Sequence, residues 1–162
     1  MYFKTNKEKG NTSLGIAIAY YASNGYTVSI PLNDTQDYDL IVDKNNVLKK
    51  IQVKSTACKT KYSNYQVALK SCGGTKGTTY KTVIDTNVDY LFIATDKIDM
   101  YLIPIKEVTN KSTLNLCEKY EKYKLNWFNQ QTLPLEVLPS DRTTNNNIME
   151  KRIKQKQISR DL

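Results

Sequence analysis

Histidine is missing altogether from this 162-residue chain. Its absence excludes triads built on an imidazole base, His-metal-finger nucleases and most structural zinc sites. Cysteine is scarce: Cys58, Cys72 and Cys117 are odd in number and widely spaced, with no Cys-x-x-Cys pair. Such thiols read as the reduced cysteines of a cytoplasmic protein, not as a disulfide framework or a zinc cluster. No stretch reaches the roughly 20 consecutive apolar residues of a transmembrane helix, so no membrane span is expected. The opening residues, Met1-Tyr2-Phe3-Lys4-Thr5-Asn6, lack the apolar run of a signal peptide. The last absence is local. From Lys44 to Ile84 there is no acidic residue but there are nine lysines, at 44, 49, 50, 54, 59, 61, 70, 76 and 81. The remainder holds fifteen basic and sixteen acidic residues, so the net charge of +8 comes from this one block. A block of that kind is either solvated surface or a footprint for a phosphate backbone, and it favours nucleic acid over a small acidic metabolite.

The length suits one domain with a short appendage and is enough to bury a core without metals or disulfides. The expected division is a domain over 1–128, a linker over 129–147 broken by Pro134 and Pro139, and a basic C-terminal helix or tail over 148–162. That tail reads as an extra DNA contact or an oligomer arm in preference to a disordered end.

Tyr38-Asp39-Leu40-Ile41-Val42 and Val47 to Val53 flank the turn sequence Asp43-Lys44-Asn45-Asn46, and together they read as a β-hairpin. Side chains alternate along a strand, so Gln52 and Lys54 share one face while Ile51 and Val53 take the other. A carboxylate (Asp39), an amide (Gln52) and an ammonium (Lys54) on one polar face are what metal-dependent phosphodiester cleavage requires. The same pattern also describes an ordinary amphipathic hairpin with a solvated lysine.

Upstream, Leu14 to Ala22 has the periodicity of a buried helix, capped by Asn11, Thr12 or Ser13 and ended at Gly25. Tyr26 to Leu32 reads as a strand ending near Pro31. Downstream, Ser55 to Tyr62 reads as irregular, Tyr65 to Lys70 as the next strand, and Ser71 to Tyr80 as a long loop suited to closing over a phosphate backbone. Val88 to Thr95 is apolar enough for a central strand, and Met100 to Pro104 pairs back on it, with Pro104 pointing to an edge or a strand end. A helical turn from Ile105 and an extended piece over Thr113 to Leu116 follow.

Three stretches together resemble the group I intron-associated PD-(D/E)XK endonucleases, a branch that includes homing endonucleases. They are Lys9-Gly10 with Gly25-Tyr26-Thr27-Val28 and Pro31, Tyr38-Asp39-Leu40 with Gln52-Val53-Lys54, and Val88-Asp89-Tyr90 with Tyr101-Leu102-Ile103-Pro104. Archaeal Holliday-junction resolvases are similar more distantly. The likeness spans residues 9 to 116.

The resemblance implies an α/β fold with a PD-(D/E)XK (restriction-endonuclease-like) core, a mixed sheet of about five strands flanked by helices. It implies a Mg2+-dependent endonuclease acting on double-stranded DNA as a homodimer or homotetramer. Residue by residue, Asp39 matches the family's metal-binding aspartate, and Gln52 stands where many relatives carry an acid. Lys54 matches the lysine that positions the attacking water, and the Val53 carbonyl would complete the metal shell. One departure is plain: Leu14 occupies the place of a helix glutamate found widely in the superfamily. Asn11 or Glu8 are the candidates to supply the missing oxygen. Lys50, Lys59, Lys61, Lys70, Lys76 and Lys81 are the lysines expected on DNA. The alternatives are a structure-selective junction resolvase and a DNA-binding module of the same fold without catalysis.

Overall fold

Thr5 and Glu8 begin the long helix of the molecule, α1 (Asn6–Ser23). The Thr5 hydroxyl accepts the Glu8 N–H and the Glu8 carboxylate accepts the Thr5 N–H, both at 3.2 Å. This reciprocal cap satisfies two donors that a helix start otherwise leaves open. The cap expected at Asn11, Thr12 or Ser13 is therefore corrected: those residues lie inside the helix, where Thr12 Oγ1 donates to the Glu8 carbonyl at 2.8 Å. Gly25, with φ of +75°, follows the C-cap Asn24 and turns the chain out of the helix. The computed structural model describes residues 5–33, 35–71 and 81–127, with the side chains at 71 and 81 excepted. Most of the expected loop before Tyr80, the linker at 129–147 and the C-terminal helix or tail at 148–162 lie outside the described residues.

Strand β1 (Thr27–Ser29) pairs antiparallel with β2 (Leu40–Lys44), and β2 with β3 (Val47–Thr56). Asn45 and Asn46 take φ of 56° and 61°, so two adjacent left-handed residues close the hairpin in two residues. That suits the twist of the strands it joins, and asparagine tolerates it better than most side chains. Beyond β3 the chain forms β4 (Tyr65–Ala68), β5 (Lys70–Ser71) and β6 (Lys81–Thr82) before β7 (Tyr90–Thr95), which pairs parallel to β3. Next come β8 (Met100–Pro104), β9 (Thr113–Leu116), a short helix α2 (Glu118–Glu121) and β10 (Lys124–Leu125). The main sheet runs β1-β2-β3-β7-β8-β10, six strands in place of the five or so expected. Pro104 ends β8 opposite Tyr90, and β10 covers that strand's other side, so β8 is not an edge. Tyr65 to Lys70 is likewise not the next strand of that sheet. Tyr65–Ala68 pairs with β9 in a separate ribbon, and Lys70 belongs to a second ribbon with β6.

The central strand β7 is buried along its whole length and presents two apolar faces. Phe92 meets Tyr20 and Tyr21 of α1, with ring centroids 6.1 and 6.0 Å apart. Leu91 and Ile93 point the other way, into a core with Val67 and Leu69, Leu114 and Leu116, and Tyr120 of α2. The sheet thus has α1 on one face, and the β4–β9 ribbon with α2 on the other. No helix among the described residues is long and apolar enough to cross a membrane.

Candidate active site

The ladder between β2 and β3 ends where Leu40 faces Ile51. One residue before that, Asp39 N–H still donates to the Ile51 carbonyl at 2.9 Å. Strand β3 runs on for five more residues, paired to β7 on its other side. The next donor on its open edge is Val53 N–H, and Asp39 Oδ2 accepts it at 2.6 Å. Gln52 Nε2 donates to the same oxygen at 2.5 Å and lies 3.5 Å from the Val53 carbonyl. An acid, an amide and a carbonyl therefore gather at the end of one ladder, where β3 has no further strand partner on that edge among the described residues.

Burial raises the Asp39 carboxyl above the ordinary carboxylate value, while the Val53 N–H and the charge of Lys54 act in the opposite direction. Burial also lowers the Lys54 ammonium below the usual lysine value, opposed by the nearby Asp39. Each group is thus within the other's field in a partly desolvated place, the environment in which titratable groups acquire chemical roles.

Both hydrogen bonds to Asp39 fall on Oδ2, which leaves Oδ1 as a ligand atom. With its nitrogen turned to Asp39, Gln52 keeps Oε1 for the same purpose. Oxygen donors carrying a single negative charge suit a hard divalent cation that retains several waters. No group of three or more His, Cys, Asp or Glu side chains that could hold a metal occurs among the described residues. Any cation here relies on neutral oxygens beside Asp39.

The other expected residues fall in several places. Glu8 is engaged in the helix cap. Asn11 is exposed and Leu14 half-buried. Lys54 and Lys70 line one cleft of about 310 Å³, and neither Asn11 nor Leu14 borders it. The face that α1 turns to this cleft carries Asn6, Lys9, Gly10 and Ser13. Those positions follow helical spacing, so they were recoverable once Thr5-x-x-Glu8 had been read as the start of α1. Several lysines of the block have neighbours of their own among the described residues. Lys49 lies 3.7 Å from Asp89, and Lys44 donates to the Asn24 carbonyl at 2.9 Å. Lys50 sits over Tyr38, Lys59 over Tyr65 and Lys61 over Tyr62, at 4.8 to 5.4 Å from the ring centroids. Lys76 and the side chain of Lys81 lie outside the described residues.

Comparison with known proteins bears on the family and the fold. The family model described as PD-(D/E)XK endonuclease matches residues 4–133. Among solved structures, a bacterial homing endonuclease, I-Ssp6803I, superposes with a TM-score of 0.65 at 24% sequence identity, over 74% of this chain and 88% of that one. No curated protein matches the chain.

Proposed function

The chain belongs to the PD-(D/E)XK endonuclease family, and from that premise we propose that it is a Mg2+-dependent DNA endonuclease of the homing type. The observation that supports this reading is the meeting of Asp39, Gln52 and Val53 at the open edge of β3, with Lys54 next along the strand. Asp39 Oδ1, Gln52 Oε1 and the Val53 carbonyl would hold the cation. Once bound, it would neutralise charge on the scissile phosphate and make a water more acidic. Lys54 orients the attacking water and offsets the negative charge that develops on the phosphate. The Val53 N–H fixes the orientation of the Asp39 carboxylate, so that atom is in place before substrate arrives. One such site breaks one strand. Cutting both strands of a duplex therefore takes a second copy of the chain, in a homodimer or homotetramer.

Cleavage mapping tests this reading. Linear duplex from the DNA flanking the gene is incubated with Mg2+ and the parent protein, Asp39→Ala or Lys54→Ala, beside a four-way junction. Discrete cuts in the linear duplex by the parent, lost in both variants and in EDTA, are expected. Cuts confined to the junction would make the protein a resolvase. Tight binding with no cut by the parent would make it a binding module that kept only the fold.

A further inference from the structure

Strand β3 does not stop at the candidate site. Past Lys54 the chain leaves β3 at Thr56, turns and comes back as β4, so the strand that carries Gln52 and Lys54 ends in a second hairpin. Thr56 Oγ1 donates to the Gln66 carbonyl at 2.5 Å, and Gln66 N–H donates to the Cys58 carbonyl at 2.8 Å. Lys59 bridges antiparallel to Tyr65. At the tip, Thr60 N–H donates to the Asn64 carbonyl at 2.8 Å and Ser63 N–H to the Thr60 carbonyl at 2.9 Å, with Ser63 at φ of +65°. The base is tied to the end of β7, where Tyr65 donates its hydroxyl to Asp96 at 2.6 Å and Lys59 lies over the Tyr65 ring. On this braced turn Tyr62 is 74% exposed, and the ammonium of the exposed Lys61 lies 4.9 Å from its ring centroid. From Ala57 to Gln66 the sequence contains two lysines and no acid. A flat, short side chain on a rigid turn loses little freedom when it is covered. The faces of the ring match the faces of nucleic-acid bases, and the charge beside it matches a phosphate.

We propose that this turn is an arm that grips DNA, in which the Tyr62 ring wedges against a base step while Lys61 takes a phosphate flanking it. The arm rests on the nuclease reading above and deepens it by adding a contact away from the reacting atoms. Tyr62 lies eight residues beyond Lys54, and eight residues of chain span at most about 29 Å. The wedged step therefore falls within about one helical turn of the phosphate at Lys54. Pushing a ring into the stack costs unstacking, and the cost is least at flexible pyrimidine–purine steps. The arm thus adds a sequence preference at a distance from the cut without a hydrogen bond to any base edge.

The test uses the full chain as parent, Tyr62→Ala, Tyr62→Phe and Lys61→Ala. Both side chains are exposed, so these substitutions keep the fold. Binding is measured without divalent metal, across a salt series, on duplex taken from the stretch that the parent protects. Tyr62→Ala should weaken binding about tenfold and leave the salt slope unchanged, because a stacked ring releases no counterions. Tyr62→Phe keeps the ring and should bind as the parent does. Lys61→Ala should flatten the slope of log affinity against log salt by about 0.9, the share of one phosphate. 2-Aminopurine, which brightens when its neighbours unstack, is then placed at each step in turn. One step within about a helical turn of the cut should brighten with the parent and Tyr62→Phe but not with Tyr62→Ala. Tyr62→Ala binding as tightly as the parent overturns the arm, as does a step that brightens equally with Tyr62→Ala. Tyr62→Phe as weak as Tyr62→Ala overturns the wedge, since the hydroxyl would then carry the contact. A parent that shows the ring and slope effects but never cuts overturns the nuclease reading and leaves the DNA arm standing. A parent that binds no duplex overturns both.

Discussion

Asp39 accepts the backbone N–H of Val53 at 2.6 Å, and so its carboxylate occupies the place that a strand carbonyl would take if β2 ran on. The acid is oriented by the sheet's own need for an acceptor. A buried edge N–H without a partner is costly, and a charged acceptor forms the stronger bond. The open edge of β3 thereby serves both the fold and the site. The Val53 carbonyl and the Lys54 side chain follow along the same strand.

Asp39 should make the metal-free protein less stable than it could be. Because burial raises its folded pKa, the folded chain holds the proton more tightly than the unfolded chain does. The contribution to stability is present at low pH and is lost as pH rises through the carboxylate range. Asp39→Asn removes that ionisation, keeps an oxygen for the Val53 N–H and, on the proposed function, should abolish cleavage. In EDTA at neutral pH its Tm should exceed the parent's, and the difference should shrink as pH falls through the carboxylate range. A lower Tm at neutral pH would mean that the hydrogen bonds outweigh desolvation.

Asp89 should matter to stability although it lies outside the site. Its Oδ2 accepts Lys50 N–H at 2.7 Å, its own N–H donates to the Lys50 carbonyl at 2.9 Å, and Lys49 approaches its other oxygen at 3.7 Å. These bonds fix where β7 starts against β3, two residues before Gln52. Asp89→Ala removes a hydrogen bond to a charged acceptor and should cost about 1.5–3 kcal/mol in urea denaturation. Asp89→Asn, which keeps an acceptor, should lose less. Equal losses for the two would show that charge alone stabilises the junction.

Much of this was legible in the chain because it depends on local rules. Asp43-Lys44-Asn45-Asn46 between two apolar runs specified the hairpin, although Asp43 and Lys44 belong to β2 and only Asn45-Asn46 turns, and the unbroken Leu91-Phe92-Ile93-Ala94 specified a strand buried on both faces. Asp39, Gln52 and Lys54 could be grouped from alternation and turn length alone. The pairing of Tyr65–Ala68 with Thr113–Leu116 could not. It joins segments nearly fifty residues apart and is decided by which face of β7 remains to be covered. Short elements such as α2 and β10 are fixed by packing, with too few residues for any period to show. The lysines were legible as a charge block, but the neighbours of each were not. Tyrosines, a carbonyl and Asp89 each engage one of them, and only the three-dimensional neighbours reveal which.

Tyr21 offers a stabilising substitution. Its ring is fully buried against Tyr20, Tyr26 and Phe92, while its hydroxyl has no hydrogen-bond partner among the described residues. A buried polar group without a partner forfeits its hydration, a cost of about 1–3 kcal/mol. Tyr21→Phe keeps the ring contacts and removes that cost. Its urea midpoint should equal or exceed the parent's, with the gain reaching about 1 kcal/mol. A loss of more than about 1 kcal/mol would reveal a hydrogen bond to this hydroxyl, whose deletion carries a cost of that order.

Gln52→Glu tests why the site carries an amide. Gln52 Nε2 donates to Asp39 Oδ2 at 2.5 Å, a contact that two ionised carboxylates cannot share. Without a cation, the new glutamate and Asp39 would share a proton, with one pKa pushed up. The folded chain would then bind protons more tightly than the unfolded one, and stability would fall as pH rises through the carboxylate range. In EDTA at neutral pH the variant should lose about 1.5–3 kcal/mol, the worth of a hydrogen bond to a charged group. Mg2+ should reverse the effect, because a second carboxylate strengthens a site made of oxygen donors. The rise in Tm on adding Mg2+ should therefore be larger for Gln52→Glu than for the parent, and should grow with metal concentration. Equal rises in the two proteins would place the cation away from residue 52, and the amide would then serve Asp39 alone.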